Sequence, residues 1–185
     1  MNSYDKIKSA YIEEITDSYR KKLTVSSLCE KAAVSRKSFY SNFSDLDDVF
    51  GHIVEDELIK PTRDLGRMLR ECKSAPLIVC EHIFQLIYER REFFCNAYYA
   101  LGDEKFRAAL VQKMRIINDS TLRLAENIDK AEQGYISEFF ASCYASAVII
   151  WIENKMNFPP QRLAEAYEKW VNLDWRKFGV QIKIS

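Results

Sequence analysis

The residues of this chain best equipped to act on a partner lie between Leu23 and Val49, in the run LTVSSLCEKAAVSRKSFYSNFSDLDDV. Thr24 and Ser35 each stand where a side-chain oxygen can accept from the amides freed at a helix start, so each opens a short helix. Small Ala32 and Ala33 let two such helices cross closely, Val34 sits in the turn, and Phe39 and Phe43 mark the inward side of the second helix. Arg36, Lys37, Ser38, Ser41 and Asn42 are left facing outward, with Tyr40 beside them. A narrow polar helix of this kind fits a DNA major groove. Arg36 or Lys37 can pair with guanine edges, Asn42 can reach an adenine or a phosphate, and Tyr40 can donate to a phosphate. The candidate DNA-contacting set is Thr24, Ser26, Ser27, Arg36, Lys37, Ser38, Tyr40, Ser41 and Asn42.

Charge along the chain supports such a face. Formal net charge is zero, yet residues 18–44 hold Arg20, Lys21, Lys22, Lys31, Arg36 and Lys37 against Glu30 alone. Residues 45–57 then hold Asp45, Asp47, Asp48, Glu55, Asp56 and Glu57 with no Lys or Arg. A basic block followed by an acidic one lets one face meet phosphate while the total stays balanced.

The elements that position this segment are helical. Five Gly and four Pro in 185 residues disfavour a many-turned β fold. Tyr4, Ile7, Tyr11, Ile15 and Tyr19 recur every three or four positions and predict a first helix. Asp45 caps a fourth, with Leu46, Val49, Phe50, Ile53 and Leu58 inward, and Pro61 either kinks or restarts it. Further helices are expected from Pro76, from Phe106 to Ile128, from Ile136 to Met156 after a break near Gly134, and from Pro160 to about residue 173. The tail Val180–Ile184 is the one segment that could be a strand.

At Thr24, Leu28, Ala32-Ala33-Val34-Ser35, Phe39-Tyr40, Phe43 and Asp47-Asp48-Val49 the chain resembles the DNA-binding part of the TetR family of bacterial repressors. That likeness covers about the first 50 residues. Two positions depart from it: Ala33 stands for the usual Gly of the turn, a mild change if the backbone there is ordinary helix, and Leu46 stands for a usual Lys that approaches phosphate. The resemblance implies an all-α protein with a helix-turn-helix DNA-binding domain over residues 1–50. Residues 51–185 would then form a larger helical effector-binding and dimerisation domain. It also implies a ligand-responsive regulator, a repressor, that binds a palindromic operator in double-stranded DNA as a homodimer. The stretch 45–72 would connect effector pocket to DNA head.

Within the larger part, His82, Phe84, Tyr88, Phe94, Tyr98, Tyr99, Phe106, Phe140 and Tyr144 are the candidate lining for a flat or apolar small-molecule effector. Trp151, Leu163, Tyr167 and Trp170 on the last two helices are the candidate dimer contacts. Two histidines, no glycine-rich phosphate loop and no metal-ligand spacing argue against an enzyme, a metal site or a cofactor. Cys29, Cys72, Cys80, Cys95 and Cys143 are widely spaced and read as reduced thiols, with Cys72 and Cys95 the candidates for an exposed sensor. No charged-then-apolar leader opens the chain and the run Ala145–Ile152 is too short to span a bilayer, so a cytoplasmic location with no membrane partner is expected. The rival reading is a helical interaction protein that turns the same helix-turn-helix surface to another protein, which the missing cation at Leu46 favours.

Overall fold

The computed structural model describes residues 2–17, 22–69, 75–122 and 129–171. Among these residues every element is helical. The three N-terminal helices are α1 (Ser3–Asp17), α2 (Val25–Lys31) and α3 (Arg36–Tyr40). Then come α4 (Leu46–Val54) and α5 (Lys60–Met68), with a π-helical turn, Glu55–Ile59, between them. The remainder is α6 (Ala75–Glu89), α7 (Arg91–Leu101), α8 (Asp103–Leu122), α9 (Lys130–Glu153) and α10 (Pro160–Val171). The possible strand Val180–Ile184 and the basic residues Arg20 and Lys21 lie outside the described residues.

Helix α1 crosses α2, α3 and α4, burying Ile7, Ala10, Tyr11 and Ile15 against Leu28, Phe39, Phe43 and Phe50. Helix α7 lies along α1, and its Asn96 Nδ2 donates to the carbonyls of Ile15 and Thr16 at 3.2 and 2.9 Å. These carbonyls sit in the last turn of α1, so the amide of Asn96 ties that helix end to α7. In the remainder, α8 pairs with α9 and α10 pairs with α6.

Pro61 neither breaks the helix nor restarts it. The chain runs from α4 into α5 through the π turn, in which the Lys60 amide reaches back five residues to Glu55 O. Proline has no amide to offer the preceding turn and its ring crowds that turn, and a local π widening relieves both. The π turn is also where the head and the remainder meet. Its three consecutive acids each engage a different neighbour: Glu55 accepts from Lys113 of α8 at 2.9 Å, Asp56 accepts from Tyr4 Oη of α1 at 2.7 Å, and Glu57 pairs with Arg90 at 2.8 Å. Successive helical residues point about 100° apart, so only a helix surrounded by partners can satisfy all three.

Two further features differ from the sequence expectation. Helix α9 passes through Gly134 without a break, capped at Asp129, whose carboxylate accepts from Ala131 N and Glu132 N at 2.8 and 2.9 Å. Its 24 residues make Lys130–Glu153 long and apolar enough, by length and composition, to cross a membrane, which the run Ala145–Ile152 is not. Half of that window is buried within this fold, with Ala141, Tyr144, Ala145 and Val148 enclosed. Where α7 gives way to α8, a single residue turns the chain: Gly102 has φ +80 and ψ 163, a conformation open in practice to glycine alone.

Candidate nucleic-acid interface

Local chemistry fixes the two short helices. Thr24 Oγ1 accepts from Ser27 N at 3.1 Å while Ser27 Oγ accepts from Thr24 N at 3.1 Å, a reciprocal capping box. Ser27, a candidate contact by sequence, therefore spends its hydroxyl on the cap, and Ser26 beside it is exposed. Helix α2 then ends in a Schellman turn, with Val34 N donating to Cys29 O at 3.0 Å and Ala33 N to Glu30 O at 3.1 Å. Ala33 holds φ +50, so it sits in the left-handed region and not in ordinary helix. The absence of glycine there is thus a source of strain and not a mild change.

Helix α3 starts on Ser35, whose Oγ accepts from Ser38 N at 3.0 Å. It stops at Tyr40. Phe39 is fully buried and Phe43 nearly so, and their rings meet at 5.8 Å. Held from beneath in this way, α3 turns Arg36, Lys37 and Ser41 to the surface, with Tyr40 53 % exposed. Ser38 and Asn42 are half-buried, and here the structure corrects the sequence reading. Asn42 Nδ2 donates to Ser38 O at 2.7 Å and Ser41 Oγ donates to the same carbonyl at 2.9 Å, so both close the end of α3.

The acidic residues that follow are spoken for. Asp45 accepts from Asp48 N at 2.8 Å, Asp48 accepts from Ser44 N at 2.9 Å, and Asp47 pairs with Lys105 of α8 at 2.7 Å. Leu46 packs on the core, so α4 begins without a cation at that position. Lys31 reaches Glu14 at 3.0 Å and ties α2 to α1, leaving Lys22, Arg36 and Lys37 as the exposed cations of this surface among the described residues.

From α3 a run of contacts leads back to the π turn. The Tyr4 ring stacks on Phe43 with centroids 5.1 Å apart and 17° between planes, and its hydroxyl is the one held by Asp56. Asp56 also accepts from Lys8 and Lys60. Burial works against its carboxylate, but donation from Lys60, Lys8 and Tyr4 prevails and brings it down to about 2. Neighbouring Glu55 is likewise lowered, chiefly by the Lys113 hydrogen bond.

The aromatic residues read as an effector lining separate into two clusters. Phe94, Tyr98 and Phe106 join Phe50 and Phe93 between α4, α7 and α8, with Phe50 and Phe106 stacked at 5.4 Å. Phe84, Tyr88 and Tyr144 join Trp151 and Tyr167 between α6, α9 and α10. His82 is half-buried on α6, while Tyr99 and Phe140 lie at the surface, 56 % and 39 % exposed, apart from either cluster's interior.

Residues 75–172, just over half of the chain, match the transcriptional regulator C-terminal region of the TetR type. The chain belongs to the TetR family of transcriptional regulators. A comparison with curated proteins finds no match. The matched region begins at α6, well beyond the helix-turn-helix run, so membership rests on a part of the chain independent of the residues that resemble the family's DNA-binding segment.

In this TetR-family chain three of the four residues read as dimer contacts pack within the chain. Trp151 is 2 % exposed and donates through Nε1 to Phe158 O at 2.9 Å, and Leu163 is 3 % exposed. Tyr167 faces Phe84 and Tyr144, and the side chain of Trp170 lies outside the described residues. What α9 shows outward is a different line, Tyr135, Phe139 and Ile150, with Tyr135 81 % and Ile150 58 % exposed, while Ser142 and Ser146 between them are half-buried and Ser146 Oγ accepts from Arg107 of α8 at 2.8 Å. Its helical spacing was present in the sequence but obscured, because α9 is apolar on its inner side as well. The thiol-sensor reading also loses ground: Cys95 is half-buried with its thiol pushed up by burial, and Cys72 lies outside the described residues.

Proposed function

We propose that this regulator binds a palindromic operator as a homodimer, reads it with α3, and releases it when a small-molecule effector enters the larger helical part. The observation that carries the reading is the outward display of Arg36 and Lys37 on a capped helix held by Phe39 and Phe43, with the adjacent acids engaged elsewhere. Two such helices related by a two-fold axis would address successive major grooves, one helical turn apart. Arg36 and Lys37 supply base or phosphate contacts, Tyr40 and Lys22 supply phosphate contacts, and Thr24 and Ser26 at the start of α2 approach the backbone. Ser27, Ser38, Ser41 and Asn42 act indirectly, by shaping the ends of α2 and α3. A DNA-binding head over residues 1–50 and a body over 51–185 share α4, since that boundary falls inside Leu46–Val54. The site of action is the cytoplasm.

The two-fold axis is assigned to the exposed stripe of α9. Tyr135, Phe139 and Ile150 present aromatic and aliphatic surface of the kind that forms the dry centre of an interface. Response to effector runs through the π turn, because it touches α1, α8 and Arg90 together, and Tyr4 carries its position to Phe43 beneath α3. A body that moved α5 or α8 against α1 would alter the spacing of the two reading helices.

The test is a mobility shift with DNA from upstream of the protein's own gene, repeated across salt concentrations. Binding that saturates at two chains per fragment and weakens steeply with salt supports the reading. Salt-insensitive or absent binding, together with capture of a protein partner that is lost in Arg36→Ala, would replace it with the interaction-protein reading that Leu46 favours.

A further inference from the structure

Tyr144 lies in the middle of the α6–α9–α10 aromatic cluster, 2 % exposed, and its hydroxyl has no hydrogen-bond partner among the described residues. Its ring stacks on Phe84 with centroids 4.8 Å apart and 17° between planes, and meets Tyr167 edge-on at 5.9 Å. Phe84 in turn meets Trp151 edge-on at 5.9 Å, and Trp151 stacks on Tyr88. Other polar atoms of the cluster are provided for: Trp151 Nε1 donates to Phe158 O, and Tyr167 Oη donates to Phe140 O at 3.3 Å. Seven residues before Tyr144 on the same buried face of α9, Ser137 is fully enclosed and its hydroxyl is also without a partner, although a serine inside a helix can bond its own preceding turn. Between them lies Ala141, fully buried and small.

An enclosed hydroxyl with no partner destabilises the fold more than a satisfied one stabilises it, and phenylalanine at 144 or alanine at 137 would remove the cost without changing the shape. Among the described residues, two such groups lie on one face of α9, and the Tyr144 hydroxyl stands within a cluster of stacked rings, where a polar group on a bound guest would satisfy it. The groups acting electrostatically on Tyr144 are Cys80 and Tyr167, both kept neutral because burial pushes the thiol up to about 12 and raises the phenol. An anionic guest would meet no opposite charge from these groups, and Glu168, whose charge acts on Cys80, would repel it. Flat walls select a flat guest.

We infer that this cluster is the effector site in its closed form, and that it takes a small neutral aromatic molecule bearing a hydroxyl or carbonyl group. The Tyr144 hydroxyl donates to that polar group, and the guest's ring replaces the contact between Tyr144 and Phe84. A second polar group at the far end would satisfy Ser137. This rests on the proposal that the regulator answers to a small molecule, and it names the half of the aromatic set that does so. The cluster around Phe94, Tyr98 and Phe106 is structural core.

The test uses the full chain with 2-naphthol, naphthalene and 2-naphthoate at neutral pH, followed by thermal melting and by calorimetry. In the wild type, 2-naphthol binds about tenfold tighter than naphthalene, as one hydrogen bond in an enclosed site allows, and 2-naphthoate binds weakest. In Tyr144→Phe the free protein melts about 3 °C or more above the wild type, and the preference for 2-naphthol over naphthalene disappears. A lower melting point for Tyr144→Phe, an unchanged 2-naphthol preference, strongest binding of 2-naphthoate, or no binding of any probe would each overturn the inference. A parallel mobility shift separates the two levels: if the wild type binds its upstream DNA while these outcomes fail, the effector assignment falls and the regulator reading stands.

Discussion

Replacing Asp56 by Asn keeps its shape and removes the charge on which Tyr4, Lys8 and Lys60 converge. The carboxylate titrates at about 2 in the folded chain against an ordinary value of 3.8. Its folded pKa is depressed, so its stabilising effect is complete above the unfolded pKa and fades as pH falls through the folded one. The difference corresponds to about 2 kcal/mol at neutral pH. Solvent screening takes little from this, since the side chain is only 16 % exposed. Urea unfolding of wild type and Asp56→Asn, measured from pH 7 down to pH 3, should show a gap of about 2 kcal/mol that is constant to near pH 5 and about halved at pH 3. Other carboxylates titrate in both proteins and cancel. A gap that does not change with pH, or none at neutral pH, would show that Asp56 does not join α1 to the π turn through its charge.

Three other perturbations have defined outcomes. Ala33→Gly relieves a left-handed alanine, a strain of about 1–2 kcal/mol, at a cost of about 0.5–1 kcal/mol in chain entropy, and should raise the melting point by about 2 °C with operator affinity unchanged. Phe139→Glu, on the exposed stripe of α9, should give a folded monomer by sedimentation and abolish cooperative binding to a palindrome; a dimer that persists would move the interface elsewhere. Tyr4→Phe, which frees Phe43 from the π turn but keeps the ring stack, should leave stability within about 1 kcal/mol and reduce the effect of any bound ligand on DNA affinity, and an unaltered response would remove Tyr4 from the coupling route.

Much of the N-terminal architecture was legible because it depends on local rules. Thr24, Ser35 and Asp45 cap the helices that their types and positions announce, and the inward phenylalanines fall at helical spacing. The structure adds what the sequence does not signal where packing or turn geometry decides the outcome. The left-handed state of Ala33 follows from the Schellman turn, which the sequence signals only through a glycine that is missing. Asn42 has the donors to read a base, but the end of a five-residue helix offers it a nearer acceptor. Of the two outcomes open at Pro61, a kink or a restart, the restart does not occur, because the π turn that accommodates the ring depends on the surrounding helices. For Trp151 and Leu163, size and apolarity mark burial without saying whether the burial is within the chain or between chains. The aromatic set likewise gave no sign that it would divide into two clusters, since that depends on α10 pairing with α6 while α9 pairs with α8.

The central claim is that the outward side of α3 holds DNA. The most direct measurement is a mobility-shift titration of upstream DNA with wild type, Arg36→Ala, Tyr40→Ala and Arg162→Ala, the last an exposed cation on α10 outside the proposed surface. Losing a base or phosphate contact costs about 1–3 kcal/mol, so Arg36→Ala and Tyr40→Ala should each weaken binding roughly 5- to 150-fold, with Arg162→Ala close to wild type. Equal affinity for all four proteins would contradict the account.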